Sequence, residues 1–452
     1  MTDVDPKPIA EHAMPSSAPE QGEAPSSTPT LRQATTVWAY IGCLSFGGPA
    51  AQIALMHREV VEEQRWIAER DYLDALSFCM LLPGPEAMQL ATYIGWCLHG
   101  TLGGLVAGLL FVLPGAVVIA GLAALYVHVG DVAVVQALFL GVKAAVLVIV
   151  VEALLRVARR TLGSVERWAI AGLAFVALFA FDVPYPVVIG AAGLWGALRV
   201  WSAGDGSNIS STSDPLPITR TLRTVAIWLV IWWAPLLALD IVLPGSILGE
   251  VGRFFSLLAT VTFGGAYAVL AFMAQEAVAG YGWLTASEMA DALGLAETTP
   301  GPLVLVTEFV GFLAGARAGG GVDLPMGFAA AIVALWATFT PCFLWVFAGA
   351  PLIDRLRSLP RLKGVVDAIG AAVVGVILNL SVWFALQVGF EDVARASLGP
   401  LRAWWPDVAT LDWRVPAIAV IAGVFLLRRH WSIPATLVVS ALAGLTLSAI
   451  TV

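Results

Sequence analysis

Ser45-Phe46-Gly47-Gly48-Pro49 and Leu82-Pro83-Gly84-Pro85 each fall inside a long apolar run that cannot continue through them as a regular α-helix. Adjacent glycines before a proline loosen a helix, and two prolines around a glycine end it. Both elements recur. A shift of 217 residues carries Ser45-Phe46-Gly47-Gly48 onto Thr262-Phe263-Gly264-Gly265, and Pro83-Gly84-Pro85 onto Pro300-Gly301-Pro302. The same shift takes Glu59 to Glu276, Trp66 to Trp283 and Asp74 to Asp291. A shift of 227 then takes Pro114 to Pro341 and Ala144-Ala145-Val146 to Ala371-Ala372-Val373. So many matches at nearly one spacing mark an internal duplication.

The sequence around these elements is that of a membrane protein. Of 452 residues, 59% are hydrophobic and 12% are charged, about half the charged share of a soluble domain. A net charge of -8 without a basic stripe excludes a nucleic-acid footprint. Cys43, Cys79, Cys97 and Cys342 lie in apolar runs without paired spacing and read as small buried hydrophobes. No phosphate-binding Gly-rich loop and no close His/Cys cluster occurs, so no cofactor and no metal are expected. Residues 1–33 are polar and rich in Pro, Ser and Glu, as in a disordered cytoplasmic tail without a signal peptide.

Apolar runs predict an all-α polytopic fold of thirteen transmembrane segments: 34–56, 71–97, 104–126, 132–156, 168–182, 184–201, 221–243, 251–273, 288–314, 325–349, 363–389, 413–427 and 431–451. With the N-terminus in the cytoplasm, Arg156, Arg159, Arg160, Arg167, Arg199, Arg220, Arg223, Arg355, Arg357, Arg361, Lys363, Arg428 and Arg429 all fall inside. The C-terminus is then periplasmic. The domains follow as a first repeat over 34–201, a linker with one helix over 202–250, and a second repeat over 251–452. Corresponding segments stand seven crossings apart, an odd number, so the second repeat is inverted, an arrangement of secondary transporters. If both Pro-Gly-Pro segments are re-entrant instead, this parity argument fails and the basic clusters need another account.

Phe46-Gly47-Gly48 and its copy serve either close helix packing or the lining of a cavity. Pro83-Gly84-Pro85 and Pro300-Gly301-Pro302 either kink their helices or split them into half-helices whose free N–H groups face an anion. Ser45, Thr262 and Phe263, and Gln89 one turn after the first Pro-Gly-Pro, complete the candidate substrate site. Lys143, in the apolar run 137–151, either attracts an anion or forms a structural pair. Glu59, Glu86 and Glu276 are the candidate proton-coupling carboxylates, with Glu308 after the second break as a further carrier. An ion pair explains Glu59 and helix capping explains Glu86 equally well.

In these motifs the chain resembles the long, two-domain form of the chromate ion transporter family. The resemblance rests on Ser45-Phe-Gly-Gly-Pro49, Arg58-Glu-Val-Val61 with Arg65-Trp66, Leu82-Pro-Gly-Pro85 with Gln89 and Ala91-Thr-Tyr-Ile-Gly95, Phe111-Val-Leu-Pro-Gly115, Gly141-Val-Lys-Ala-Ala145, Phe263-Gly-Gly265, Pro300-Gly-Pro302 and Ala371-Ala-Val-Val-Gly375. It covers residues 34–452. It implies proton-driven antiport of chromate out of the cytoplasm across the bacterial inner membrane, with sulfate as a competitor, and hence chromate resistance. Membrane lipid is a further partner expected, and an odd number of spans is compatible with a homodimer. The second half departs from the first at Ala266, opposite Pro49, and at Leu303, opposite Glu86. The alternatives are an uncoupled oxyanion channel, a transporter of sulfate or another tetrahedral dianion, and a membrane enzyme acting on lipid-linked anions.

Overall fold

The Thr30 side chain accepts the Gln33 amide while the Gln33 carboxamide accepts the Thr30 amide, and this reciprocal cap starts the first helix. Helix α1 spans Leu31–Leu44, so residues 31–33 are helical rather than part of the tail expected over 1–33. The chain is described here by a computed structural model over residues 28–130, 132–202, 218–263, 266–353, 360–399 and 401–451. Residues 1–27 of the expected tail, the stretch 203–217 of the linker, Gly264, Gly265, Arg355 and Arg357 lie outside the described residues.

Helices cover every apolar segment read from the sequence, but four of those segments are cut in two. The run 34–56 becomes α1 and α2 (Gly48–His57), and the run 71–97 becomes α3 (Glu69–Cys79) and the start of α4 (Glu86–Val129). After α5 (Ala133–Thr161), α6 (Val165–Phe181), α7 (Tyr185–Ser202) and α8 (Ile218–Val242), the pattern repeats. Helices α9 (Ile247–Val261) and α10 (Ala266–Gln275) divide one run, and α11 (Ala286–Thr298) and α12 (Val306–Arg317) the next. The chain ends with α13 (Leu324–Gly349), α14 (Pro360–Gly389), α15 (Arg414–Gly423) and α16 (Ile433–Thr451). Both α2 and α10 run on into π turns, Arg58–Glu63 and Glu276–Gly280.

The 44 residues of α4 are not one rod. His99 (φ −140°, ψ 28°) and Gly100 (φ 61°, ψ −155°) leave helical geometry, and the chain reverses there. Gly95 then lies against the Gly103 carbonyl and Gly103 against the Gly95 carbonyl, while Gly108 sits on Thr92. Only hydrogen side chains allow two helical limbs to approach so closely. The second half builds the matching hairpin from α12 and α13, where Gly311 and Gly315 pack on Ala330.

Four contacts set the ends of these elements side by side. His99 bonds the Pro29 carbonyl at 2.7 Å, and the Trp66 ring lies 6.5 Å from Trp38 in α1. In the second half, Trp283 lies 6.3 Å from Phe255, the counterpart of Trp38. At the opposite end of α4, Tyr126 donates to Asp291 of α11 at 2.8 Å.

The outer helices are joined through small residues: Gly141 of α5 on Ser440 of α16, Gly375 of α14 on Ala171 of α6, and Gly196 of α7 on Gly364 of α14. Large aromatic side chains such as Trp38, Phe111, Phe255 and Phe309 fill the interior. Apolar side chains also face outward, among them Val117, Leu173, Val230, Ile241 and Ile332, as lipid contact requires and water does not favour. Among the described residues, six helices are long and apolar enough to cross a membrane by length and composition. A hairpin between the apolar runs that end at 389 and begin at 413, β1 (Val393–Leu398) and β2 (Leu401–Pro406), follows α14. Its Arg395 and Arg402 each lie 2.6 Å from Asp182, at the turn between α6 and α7.

Candidate functional site

The broken helices meet each other. Gly84 donates its amide to the carbonyl oxygen of Thr262 at 2.8 Å, and Gly301 donates its amide to the carbonyl oxygen of Ser45 at 2.9 Å. Each Pro-Gly-Pro therefore closes on the Phe-Gly-Gly break of the other half. Positive φ makes this possible: +127° at Gly84 and +91° at Gly301, with +87° and +76° at Gly47 and Gly48. Gly115, halfway along the second limb of α4, lies under the Pro300 carbonyl, and Cys342 of α13 stands in the corresponding place beside Gly84.

Side-chain amides brace the crossing. Gln52 of α2 donates to the Gly301 carbonyl at 2.6 Å and to the Ser45 carbonyl at 3.3 Å; Gln89 of α4 donates to the Pro83 carbonyl at 2.7 Å. Gln52 and Gln89 are buried, and the Oε1 atom of each has no hydrogen-bond partner among the described residues. Four helices begin around the crossing: α2 at Gly48, α4 at Glu86, α10 at Ala266 and α12 at Val306 after a short turn from Pro302. Their first N–H groups and the positive ends of their dipoles favour negative charge. Phe46 is partly exposed beside the first break, and Phe263 beside the second.

The structure thus gathers Ser45, Phe46, Gly47, Gly48, Pro83, Gly84, Pro85, Gln89, Thr262, Phe263, Pro300, Gly301 and Pro302 at one place. The hydroxyl groups act differently from the expectation. Ser45 Oγ donates to the Ile41 carbonyl and Thr262 Oγ1 to the Leu258 carbonyl, each at 2.6 Å, so both turn back on their own helices. Their backbone carbonyls carry the contact between halves.

Lys143 lies elsewhere. Its Nζ is 3.3 Å from Asp291 Oδ1 and 2.9 Å from Ser287 Oγ, in a cleft with Tyr126, Glu288 and Arg414. Of the carboxylates, Glu86 opens α4 directly after the first break, whereas Glu59 and Glu276 sit in the two π turns at the far ends of α2 and α10. Arg58 pairs with Glu59 at 3.2 Å, and Gln275, next to Glu276, donates to Asp182. Burial and then the Asp182 carboxylate push the Glu276 carboxyl above its usual range. Glu308 is buried in the first turn of α12.

Three polar residues of the crossing were missed from sequence: Gln52, Tyr267 and Glu297. Tyr267 donates to Glu297 Oε1 at 2.8 Å. The signal available was a polar side chain in an apolar run, Gln52 three residues after Pro49 and Glu297 three residues before Pro300. On α5, Arg160 reaches Met80 Sδ at 3.1 Å beside the first break, and the charge of Arg156 acts on Tyr267 and Glu297 beside the second.

Helices interrupted in pairs inside a lipid-facing helical bundle define a membrane-embedded transporter, since unpaired backbone groups at such depth are tolerable only where protein encloses them or a cavity is lined. The chain belongs to the chromate transporter family, which it matches over residues 32–197 and 249–445. It is a transport protein and not an enzyme. It is 31% identical to the chromate transport protein of Cupriavidus metallidurans, over 82% of this chain and 86% of the relative. It is 32% identical to the chromate transport protein of Pseudomonas aeruginosa over 79% and 82%, and 29% identical to the probable chromate transport protein of Synechococcus elongatus over 87% and 95%. No solved structure matches it.

Proposed function

We propose that the chain exports chromate from the cytoplasm across the bacterial inner membrane by alternating access, coupled to protons, with the anion bound where the two pairs of broken helices cross. The observation that carries this reading is the reciprocal contact of Gly84 with Thr262 and Gly301 with Ser45, around which four helix N-termini begin. A tetrahedral dianion suits free N–H groups and dipole ends, and an exchange of contacts between halves suits a site that opens to either side.

The same contacts support an inverted repeat with nine crossings rather than thirteen. In this reading α1 with α2, and α3 with the first limb of α4, enter and leave on the cytoplasmic side. Helices α9 with α10, and α11 with α12, do the same from the periplasmic side. The second limb of α4 and helices α5 to α8 cross between the two sets, five in number, so the second half is upside down. The return of Trp66 to Trp38 and of His99 to Pro29 fits the first pair of hairpins; the approach of Asp291 to Tyr126 fits the second. Both counts leave the N-terminus in the cytoplasm and the C-terminus outside. They differ only at the loops 57–70 and 274–287. Nine crossings put Arg58, Arg65 and Arg70 inside and a loop without Lys or Arg outside, which improves the charge asymmetry.

The test is chromate flux in proteoliposomes of the purified chain, with and without a pH gradient, against sulfate and molybdate as competitors. Accumulation driven by the gradient is the expected result. Flux that merely equilibrates identifies an uncoupled channel, and flux of sulfate alone identifies a different dianion as the substrate.

A further inference from the structure

We propose that Glu297 is the group that holds the coupling proton at the crossing, and that it takes this proton up when a tetrahedral dianion arrives. The inference rests on the transport reading above and supplies its coupling residue. Glu297 lies in the last turn of α11, three residues before Pro300, and is 3% exposed. One carboxyl oxygen, Oε1, accepts the Tyr267 hydroxyl at 2.8 Å; the other, Oε2, has no hydrogen-bond partner among the described residues. Tyr267 stands in the first turn of α10, and its hydroxyl is the atom nearest to where a Cβ on Gly48 would lie, at 3.9 Å. One phenol thus links the carboxyl group of the second break to the N-terminus of α2 at the first. The other ionisable groups acting on Glu297 are Arg156 and Glu152 of α5, which pair with each other at 2.5 Å. Glu59 and Glu276, by contrast, occupy the π turns at the far ends of α2 and α10.

An ionised carboxylate repels a dianion placed beside it, whereas a protonated one donates a hydrogen bond to it through the free Oε2. Occupancy and protonation therefore favour each other, and by linkage each raises the affinity for the other. The proton comes from the compartment that supplies the anion and leaves with it. Coupling is then joint movement rather than exchange: a dianion and a proton travel as one net negative charge, which a membrane potential negative inside still drives outward.

Calorimetric titration of chromate into the full-length purified protein, in two buffers of different ionisation enthalpy, counts the protons taken up. The wild-type chain is expected to take up about one proton per chromate bound, with affinity falling by up to about tenfold per pH unit, the limit for a single linked proton. At a pH where free chromate is already the dianion, Glu297→Gln is expected to bind it with no uptake and with affinity independent of pH. Tyr267→Phe keeps the carboxyl group and removes its hydrogen bond, so uptake persists while the pH midpoint moves. Unchanged uptake in Glu297→Gln, or an unmoved midpoint in Tyr267→Phe, overturns the inference and leaves the transport reading intact. Absence of chromate binding by the wild-type chain overturns the transport reading, and this inference with it.

Discussion

The amide of Gly84 lies 2.8 Å from the carbonyl oxygen of Thr262, a bond between residues that occupy different breaks in different halves of the chain. It places Gly84 at a φ of +127°, where a side chain is strained, and a Cβ there would stand 2.7 Å from Gln89 Nε2 and 3.1 Å from Cys342 Sγ. Gly84→Ala is expected to destabilise the fold by about 1–3 kcal/mol and to abolish transport. Gly301→Ala, at a φ of +91° and with Leu305 as the near neighbour, should do the same. Thermal unfolding of the purified variants measures both, and wild-type stability in either would mean that the reciprocal bonds do not hold the crossing.

Lys143 and Asp291 are both largely buried, with side chains 14% and 8% exposed. Removing one leaves the other as an unpaired buried charge, so Lys143→Met and Asp291→Asn should each destabilise the protein and the double variant should recover most of the loss. A coupling energy of about 1–3 kcal/mol in the double-mutant cycle is expected. Additive losses would return Lys143 to the role of a free anion anchor.

The nine-crossing arrangement is decided by two loops. In a cysteine-free background, Glu63→Cys should react with a membrane-impermeant maleimide only from the cytoplasmic side, and Ala279→Cys only from the periplasmic side. Both positions are exposed. Thirteen crossings require the reverse at each.

Glu276 gives a pH-dependent stability with a definite sign. Its carboxyl group holds a proton more tightly in the folded chain than in the unfolded one, so stability falls as pH rises from the ordinary glutamate range through the raised value. Glu276→Gln should flatten that fall and be the more stable protein at neutral pH. A variant less stable than wild type at neutral pH would show that the ionised form has a favourable role.

Much of this was legible in the sequence because Pro and Gly act locally. Pro83-Gly84-Pro85 and Pro300-Gly301-Pro302 stop helices wherever they stand, and the apolar runs bounded the helices to within a few residues. The reversal at His99–Gly100 falls in the gap that the apolar runs leave between 97 and 104, but the close approach of Gly95, Gly103 and Gly108 that packs its two limbs together had no local signal. The side chains of Ser45 and Thr262 were expected in the site, but a hydroxyl at a helix end has its own i−4 carbonyl within reach, and that local bond wins. Lys143 and Glu297 depended on partners more than a hundred residues or a whole helix away. Asp291, known from the repeat only as the copy of Asp74, proves to be the partner of Lys143, a pairing no local pattern could announce.

Because Gln52 is bonded to Gly301, 249 residues later, the first break cannot be completed until most of the chain has been made. At about 5–20 residues per second, synthesis delays that bond by about 12–50 s. During this time the first half waits in the bilayer with its two breaks unclosed, so the insertion machinery or lipid itself must shelter them. Biogenesis is therefore most exposed to proteases and mispairing in this interval. Separately expressed halves should recover function only if they are inserted together.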